Sequence, residues 1–267
     1  MSRHRGGWIG LGVVGVLALA MVAPFIYMVS GSLLPSMEEA GTPRWHSENY
    51  AAALTALPFA RFFLNSVLLA GCAAVGQVLT SATAAYAFAR LRFPGRDRVF
   101  LAFLSVLIMP AVVLLVPRFL IINAMGWVDS YAGLISTEVV SVWGIFFLRQ
   151  YFLSLPRDLE DAARLDGAGE WTIFWHVILP LAKPALATLA LLAFVDQWKN
   201  FLWPLVATRS LEMQVVEVGL ARFHGLYPSN WPYQLAAAVA ATLPLLIVFV
   251  VAQRYFIRGL PLAASRS

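Results

Sequence analysis

The chain has 267 residues, of which 60% are hydrophobic and only 12% are charged. Soluble domains carry roughly 25% charged residues, so composition excludes an ordinary soluble protein and leaves an integral membrane protein. The net charge of +5 is not gathered on a polar face, as nucleic-acid binding requires, and the single cysteine, Cys72, excludes an intrachain disulfide or a thiolate metal site.

In chain order, the basic opening Met1-Ser-Arg-His-Arg precedes an apolar run over residues 7–30. That run is about 20 residues, longer than a signal-peptide core, and has no clear small-x-small cleavage site. It reads as a retained first span, added to a core of five. Runs long enough to cross a bilayer are predicted near residues 8–30, 63–89, 99–119, 131–152, 179–202 and 235–255. Pro24, Pro110, Pro184 and Pro244 lie within these runs and are expected to kink them. The predicted fold is all-α: a polytopic membrane domain of about six transmembrane helices. It is read as one domain over 1–267, with a first span about 8–30 and a core about 61–256. Cys72, inside an apolar run, reads as a small packing residue.

Six spans place both termini on one side. With that side inside, 13 of the 19 basic residues face the cytoplasm, from Arg3, Arg5, Arg90, Arg92, Arg96 and Arg98 to Arg254, Arg258 and Arg266. Six face outward: Arg44, Arg61, Arg118, Lys199, Arg209 and Arg222. This is the asymmetry of the positive-inside rule. Two outer segments, 31–62 with Pro35 and Pro43 and 204–234 with Pro228 and Trp231, are long enough to meet a soluble partner.

A polar interruption runs from Asp158 to Pro180, where Arg157, Asp158, Glu160, Asp161, Arg164, Asp166 and Glu170 crowd together. Charges in hydrocarbon cost several kcal/mol, so this stretch lies outside the bilayer or inside protein. Pro156 suits a first helical position, and Asp158 and Glu160 suit the positive end of a helix. Leu159, Ala162 and Ala163 make a narrow apolar stripe, and Gly167 sits where a left-handed cap would go. A second short helix is predicted from near Glu170, carrying Trp171, Phe174 and Trp175. Two short helices at an angle, over about 153–178 at the inner membrane surface, suit the docking of a partner.

The spacing Asp161-Ala162-Ala163, three residues, Gly167, nine residues, Val177-x-Leu179-Pro180 resembles the Glu-Ala-Ala loop of bacterial ABC importer permeases. Asp161 stands where that family has Glu, although Glu160 precedes it, and Val177 stands where Ile is usual. Leu165-Asp166-Gly167-Ala168 and Leu179-Pro180-Leu181-x-x-Pro184 bring the resemblance toward the maltose-type sugar permeases. Ala85-Tyr86-Ala87-Phe88-Ala89-Arg90 with Arg92, Pro94 and Gly95, and Gln253 through Leu260, extend it; their arginines read as inner-surface anchors. The resemblance implies the type-1 importer permease fold and a coupling helix that docks into a separate ATPase subunit. It assigns that coupling to Glu160, Asp161, Ala162, Ala163, Asp166, Gly167, Leu179 and Pro180. It also implies a second homologous permease, two ATP-binding cassette subunits, an extracytoplasmic sugar-binding protein and a plasma-membrane location with cytoplasmic termini.

The segment from Asp196 to Leu205 resembles the family's Trp-Asn-Asp/Glu-Phe-x-Trp-Pro stretch near the translocation path, with Lys199 and Asn200 in place of the usual Asn and acid. Two roles fit Trp198 and Trp203: lining a path, or anchoring at the membrane interface. Asn65, Gln77, Asp196, Trp198 and Asn200 are the candidate path residues. Helix–helix contact is the favoured role for Asn65, Gln77 and Thr80. Glu138 is a further intramembrane acid, read as lying close to the outer surface.

No chemistry of its own is legible in the chain. A P-loop needs Gly-x-x-x-x-Gly-Lys-Ser/Thr, and the only lysines, Lys183 and Lys199, follow Ala182 and Trp198. His4, His46, His176 and His224 are scattered, without the spacing of a metal site. The expectation is a non-enzymatic permease without cofactor, coupled to ATP hydrolysis elsewhere and importing a carbohydrate. The competing readings are a self-contained channel or secondary transporter, which would usually show a repeat or buried ion pair, and a membrane assembly factor.

Overall fold

The computed structural model describes residues 3–35, 45–227 and 230–259. Pro43, Arg44, Pro228, Leu260 and Arg266 lie outside the described residues, as do the side chains of 3–10 and 254–259. No strand occurs among the described residues. The helices are α1 (Arg3–Ser32), α2 (Glu48–Ala56), α3 (Phe59–Arg90), α4 (Arg96–Ser105), α5 (Leu115–Ala124), α6 (Tyr131–Ser136) and α7 (Val142–Ser154). They continue with α8 (Asp158–Leu165), α9 (Glu170–Ile173), α10 (Leu179–Leu181), α11 (Lys183–Trp198), α12 (Leu202–Ala207), α13 (Val216–Leu226) and α14 (Trp231–Gly259).

Two compact units divide the chain: residues 1–60 with 219–244, and residues 61–218 with 245–267. In the first, the C-terminal end of α1 is tied down by side chains. Asn49 Nδ2 donates to the carbonyls of Ser32 and Leu34 at 2.8 and 2.9 Å, satisfying acceptors that a helix end leaves open. Phe223 packs edge-on to Phe59, with ring centroids 5.8 Å apart. The stretch Val13–Ser32 is strongly apolar and is exposed along nearly all its length, with burial only at its end, at Gly31 and Ser32. A helix apolar on every side belongs in hydrocarbon.

The second unit carries the functional geometry. Along α3, Leu64, Val67, Leu68, Val75 and Leu79 are exposed, whereas Asn65, Ser66, Gln77, Ser81 and Arg90 are buried. This is the reverse of a water-soluble helix and suits one whose outer face meets lipid. Cys72 lies on the exposed side, not in a packed interior.

Three helices are long and apolar enough to cross a membrane unbroken: Val13–Ser32, Phe59–Arg90 and Trp231–Gln253. Two of the predicted runs are bent pairs. Arg96–Ile108 and Ala111–Ala124 meet at 97°, and Glu170–Leu181 and Lys183–Trp198 meet at 77°. Prolines account for both breaks. Met109 is extended before Pro110, and Pro180 and Pro184 flank the break at Ala182. Pro24 and Pro244 instead lie inside continuous helices.

The run expected over 131–152 as one crossing is two shorter helices, α6 and α7, each opened by a serine. Ser130 Oγ accepts from Gly133 N at 3.2 Å and Ser141 Oγ from Gly144 N at 3.0 Å. These are ordinary N-caps, placed where periodicity alone shows an unbroken apolar run. Glu138 occupies the break and is buried.

α3, α7 and α11 meet at Gly144. A Cβ there would lie 2.6 Å from Ser81 Oγ and 3.1 Å from Leu189 Cδ1. Small residues permit such close approach in membrane helices. A Gly144→Leu chain should lose about 1–3 kcal/mol through overpacking, read as a lower unfolding midpoint in detergent. A Gly71→Leu chain, altered where no atom lies within 4 Å, should keep the wild-type midpoint.

The turn after α5 is fastened through Asp129, whose Oδ1 accepts from Arg209 N at 2.8 Å and from Ser210 N and Oγ at 3.0 Å. Burial works to raise this carboxyl, but those donors hold it below the usual carboxylate range. Its stabilisation is therefore complete above the unfolded value of about 3.9 and is lost as pH falls through the folded one. Asp129→Asn should flatten the decline of the unfolding midpoint as pH falls below about 4; an unchanged decline would show that Asp129 does not cause it.

Candidate functional site

The polar interruption folds as two short helices joined at Gly167. Asp158, Glu160 and Asp161 fill the first turn of α8 and Arg164 its last, each placed to suit the helix dipole. Pro156 precedes the N-cap residue, Arg157, and so stands outside the helix. At the far end, Ala168 N donates to Ala163 O at 2.9 Å and Gly167 N to Arg164 O at 3.0 Å. These two bonds form a Schellman cap, with Gly167 at φ +83°. α9 then starts at Glu170, where a second helix is predicted, and passes into a π turn over Phe174–Ile178.

What α8 turns inward is not its apolar stripe. Glu160 is its buried residue, while Leu159 is 49% and Leu165 is 90% exposed. Ala162 is exposed as well, and Ala163 is half-buried. Glu160 Oε1 pairs with Arg90 Nε at 2.8 Å, and both side chains are 2% exposed. Arg90 Nη2 also donates to Leu155 O at 2.9 Å. Burial pushes the Glu160 carboxyl up from its ordinary value, and Arg90, Arg164 and Arg157 oppose the shift.

A second tie runs to α9. Tyr86 OH donates to Glu170 Oε2 at 2.6 Å, and Arg164 Nε to Glu170 Oε1 at 3.1 Å. Arg164 Nη1 also donates to Asp161 Oδ1 at 2.9 Å. These contacts with Glu170, then Asp161 and Glu160, hold the Arg164 guanidinium above its ordinary value. Phe174, Ile173 and Ile178 pack into one cluster with Tyr86, Ala89 and Phe152. The end of α3 is thus clamped to both short helices, by charge at Arg90 and by a hydroxyl and a ring at Tyr86. Trp171 and Trp175 stay exposed beside the buried Phe174.

The other predicted residues divide. Asn65 is consumed within the structure: Nδ2 donates to the carbonyls of Glu212 and Gln214 at 2.7 Å, and Oδ1 accepts from Tyr131 OH at 2.7 Å. Gln77 Nε2 donates to Glu138 O at 2.8 Å, and Thr80 Oγ1 to Val139 O at 2.8 Å. Trp198 is 1% exposed, against Phe63 and Phe194. Asp196 and Lys199 line two cavities of about 440 and 460 Å3, and Gln77 also lines the first. Trp143 and Ser141 stand in the first, and Arg118, Asn200 and Phe201 in the second.

The wall of the second cavity carries a polar chain that the sequence marks only by an isolated acid. Glu138 pairs with Arg118 and accepts from Gln197 Nε2 at 2.7 Å. Asn200 Nδ2 donates to Gln197 Oε1 at 3.2 Å, and the Arg118 guanidinium lies 4.2 Å from the ring centre of Trp203. Such pairing offsets the cost of partly burying these charges at the cavity wall.

Residues 77–260 match the family described as the binding-protein-dependent transport system inner membrane component. The chain belongs to this family.

The permease is 35% identical over 254 residues to the arabinooligosaccharides transport system permease protein AraQ of Bacillus subtilis (strain 168), covering 92% of this chain and 90% of that protein. It is 32% identical over 262 residues to the diacetylchitobiose uptake system permease protein NgcG of Streptomyces coelicolor, covering 95% and 87%. A crystal structure of a bacterial ABC transporter involved in the import of the acidic polysaccharide alginate superposes with TM-score 0.80 at 27% identity, covering 96% of this chain and 98% of that one.

In the permease, the joint at Gly167 admits a sharp test. No atom lies within 4 Å of a Cβ placed there, so only the backbone sign resists substitution. Asn tolerates left-handed backbone, whereas a β-branched residue does not. Gly167→Asn should keep the wild-type rate of limited proteolysis across the α8–α9 joint, and Gly167→Val should raise it several-fold, from a strain of about 1–2 kcal/mol.

Proposed function

We propose that the permease is the transmembrane subunit of an ATP-driven, binding-protein-dependent importer for a carbohydrate of the mono- or oligosaccharide class. The substrate class rests on the relatives, whose names concern arabinooligosaccharides, diacetylchitobiose and alginate. One observation of this chain carries the mechanism: α8 presents Leu159, Ala162 and Leu165 to the outside while its acid Glu160 is held on Arg90. A short helix with apolar residues outward and a charge inward is built to be covered by another protein.

In this reading α8 and α9 are the coupling element, within a loop over about 153–178 of a single membrane domain spanning 1–267. Asp161, Ala162, Ala163 and Asp166 meet a separate ATP-binding subunit, Gly167 sets the angle, and Leu179 and Pro180 join the element to α11. Glu160 acts from within, as the residue that ties α8 to α3. Closure of the ATPases on ATP moves α8, and the Arg90 and Tyr86 clamps pass that movement to α3. Asp196 and Asn200, with Lys199, line the path, and Asn65, Gln77 and Trp198 frame it. The partners are two ATPase copies, a second homologous permease and an extracytoplasmic sugar-binding protein. Both termini are cytoplasmic in a bacterial or archaeal plasma membrane.

The test is a pull-down of the tagged chain from its native membranes, with ATPase activity and ATP-dependent sugar uptake measured. An associated ATPase that is lost on deleting 159–167 is the expected result. A chain that moves solute without any ATPase would instead be a secondary transporter.

A further inference from the structure

The arginines that follow α3 are more than scattered anchors. Arg92, Arg96, Arg98 and Arg157 surround one concave space of about 750 Å3, with Phe93 and Asp97. Asp97 is already engaged, by Arg96 Nε at 3.2 Å and Arg149 Nη2 at 3.7 Å. Among the described residues, no carboxylate forms an ion pair with Arg92, Arg98 or Arg157. The cavity is therefore strongly positive, and its guanidinium forks suit phosphate.

Its place in the fold selects among phosphate carriers. The span Phe59–Arg90 ends and the bent span Arg96–Ile108 begins at this cavity, so it lies at the level where two crossings reach the membrane surface. Phe93 lines the cavity and is 38% exposed, and along the helix that starts there, α4, Val99, Leu101 and Phe103 are 44%, 64% and 38% exposed on different sides of the helix. A cation cluster flanked by exposed apolar residues matches a headgroup with its acyl chains, whereas a free anion would use only the arginines. Basic pockets beside transmembrane helices hold anionic headgroups in this way.

We propose that the cavity of Arg92, Arg96, Arg98 and Arg157 binds the phosphate headgroup of an anionic phospholipid, with acyl chains along α4. This proposal is independent of the transported solute.

The test uses the full chain with its co-purifying subunits in phosphatidylcholine nanodiscs, titrated with phosphatidylglycerol and followed by native mass spectrometry. Wild type should retain phosphatidylglycerol, and the Arg92→Gln/Arg98→Gln/Arg157→Gln chain should need roughly 100-fold more lipid for equal retention. The corresponding triple Lys chain, which keeps the charge, should stay near wild type and so separates lost charge from misfolding. Millimolar inorganic phosphate should not displace the lipid. Equal retention by the wild-type and Gln chains overturns the proposal, and displacement by inorganic phosphate makes this a free-anion site instead. Loss of a co-purifying subunit from the Gln chain with lipid retention unchanged assigns the arginines to a protein partner and also overturns it.

Discussion

Replacing Arg90 with alanine is expected to abolish ATP-dependent uptake and to lower the unfolding midpoint of the permease. Arg90 and Glu160 are both buried side chains, paired at 2.8 Å. Removing one partner of a buried pair typically costs about 3–5 kcal/mol, because the other charge is stranded. Glu160, whose carboxyl burial already pushes upward, would keep only the longer contact to Arg164 at 3.6 Å and lose its hold on α3. The double change Arg90→Met/Glu160→Met strands nothing and should recover much of the midpoint, since apolar replacement of a whole pair is often neutral. It should not recover uptake, because the directional tie between α3 and α8 is gone. That split separates transmission from stability. Uptake by Arg90→Ala equal to wild type, at an equal midpoint, would remove the Arg90–Glu160 pair from the coupling route.

Leu165→Glu is expected to do the opposite: leave the chain folded and inserted, and cost the ATPase. Leu165 is 90% exposed, so its own chain loses almost nothing. A residue at the centre of an interface, by contrast, costs about 2–4 kcal/mol when altered, equivalent to roughly 30- to 1000-fold in affinity. Co-purification of ATPase activity should fall by at least tenfold while the unfolding midpoint stays within a degree or two, because surface changes rarely exceed about 0.5 kcal/mol. Leu165→Met, which keeps an apolar side chain, should retain the ATPase. Full ATPase recovery with Leu165→Glu would mean that α8 docks by a different face.

Much of this site is legible one residue at a time, for local reasons. The Gly167 cap, the helix starting at Glu170 and the breaks near Pro110 and Pro184 depend on backbone preferences within a few residues. Other features turn on distant partners. The stripe of Leu159, Ala162 and Ala163 has the spacing of a buried face, yet Leu159 and Ala162 point outward. Which side of an eight-residue helix faces inward was decided by Arg90, 70 positions earlier, through its pairing with Glu160. Asn65 and Gln77 take the contact role favoured for them over a path: backbone carbonyls at Glu212, Gln214 and Glu138 accept their donors, although Gln77 also lines the first cavity. The break between α6 and α7 was likewise set by its surroundings, since Glu138 there meets Arg118 and Gln197.

The sequence by itself determined that this is a helical membrane protein, that two spans break near Pro110 and Pro184, that α8 is capped at Gly167, and that one short polar element interrupts its apolar runs. It could do so because apolar run length, proline and glycine act on their own neighbours along the chain. Only the tertiary structure decided which charges are paired, which apolar residues are left for a partner, and which polar groups face open space at Asp196 and Lys199. Those outcomes depend on side chains meeting across helices far apart in sequence, where the cost of an unpaired buried charge outweighs the preference of any single helix for its own apolar face.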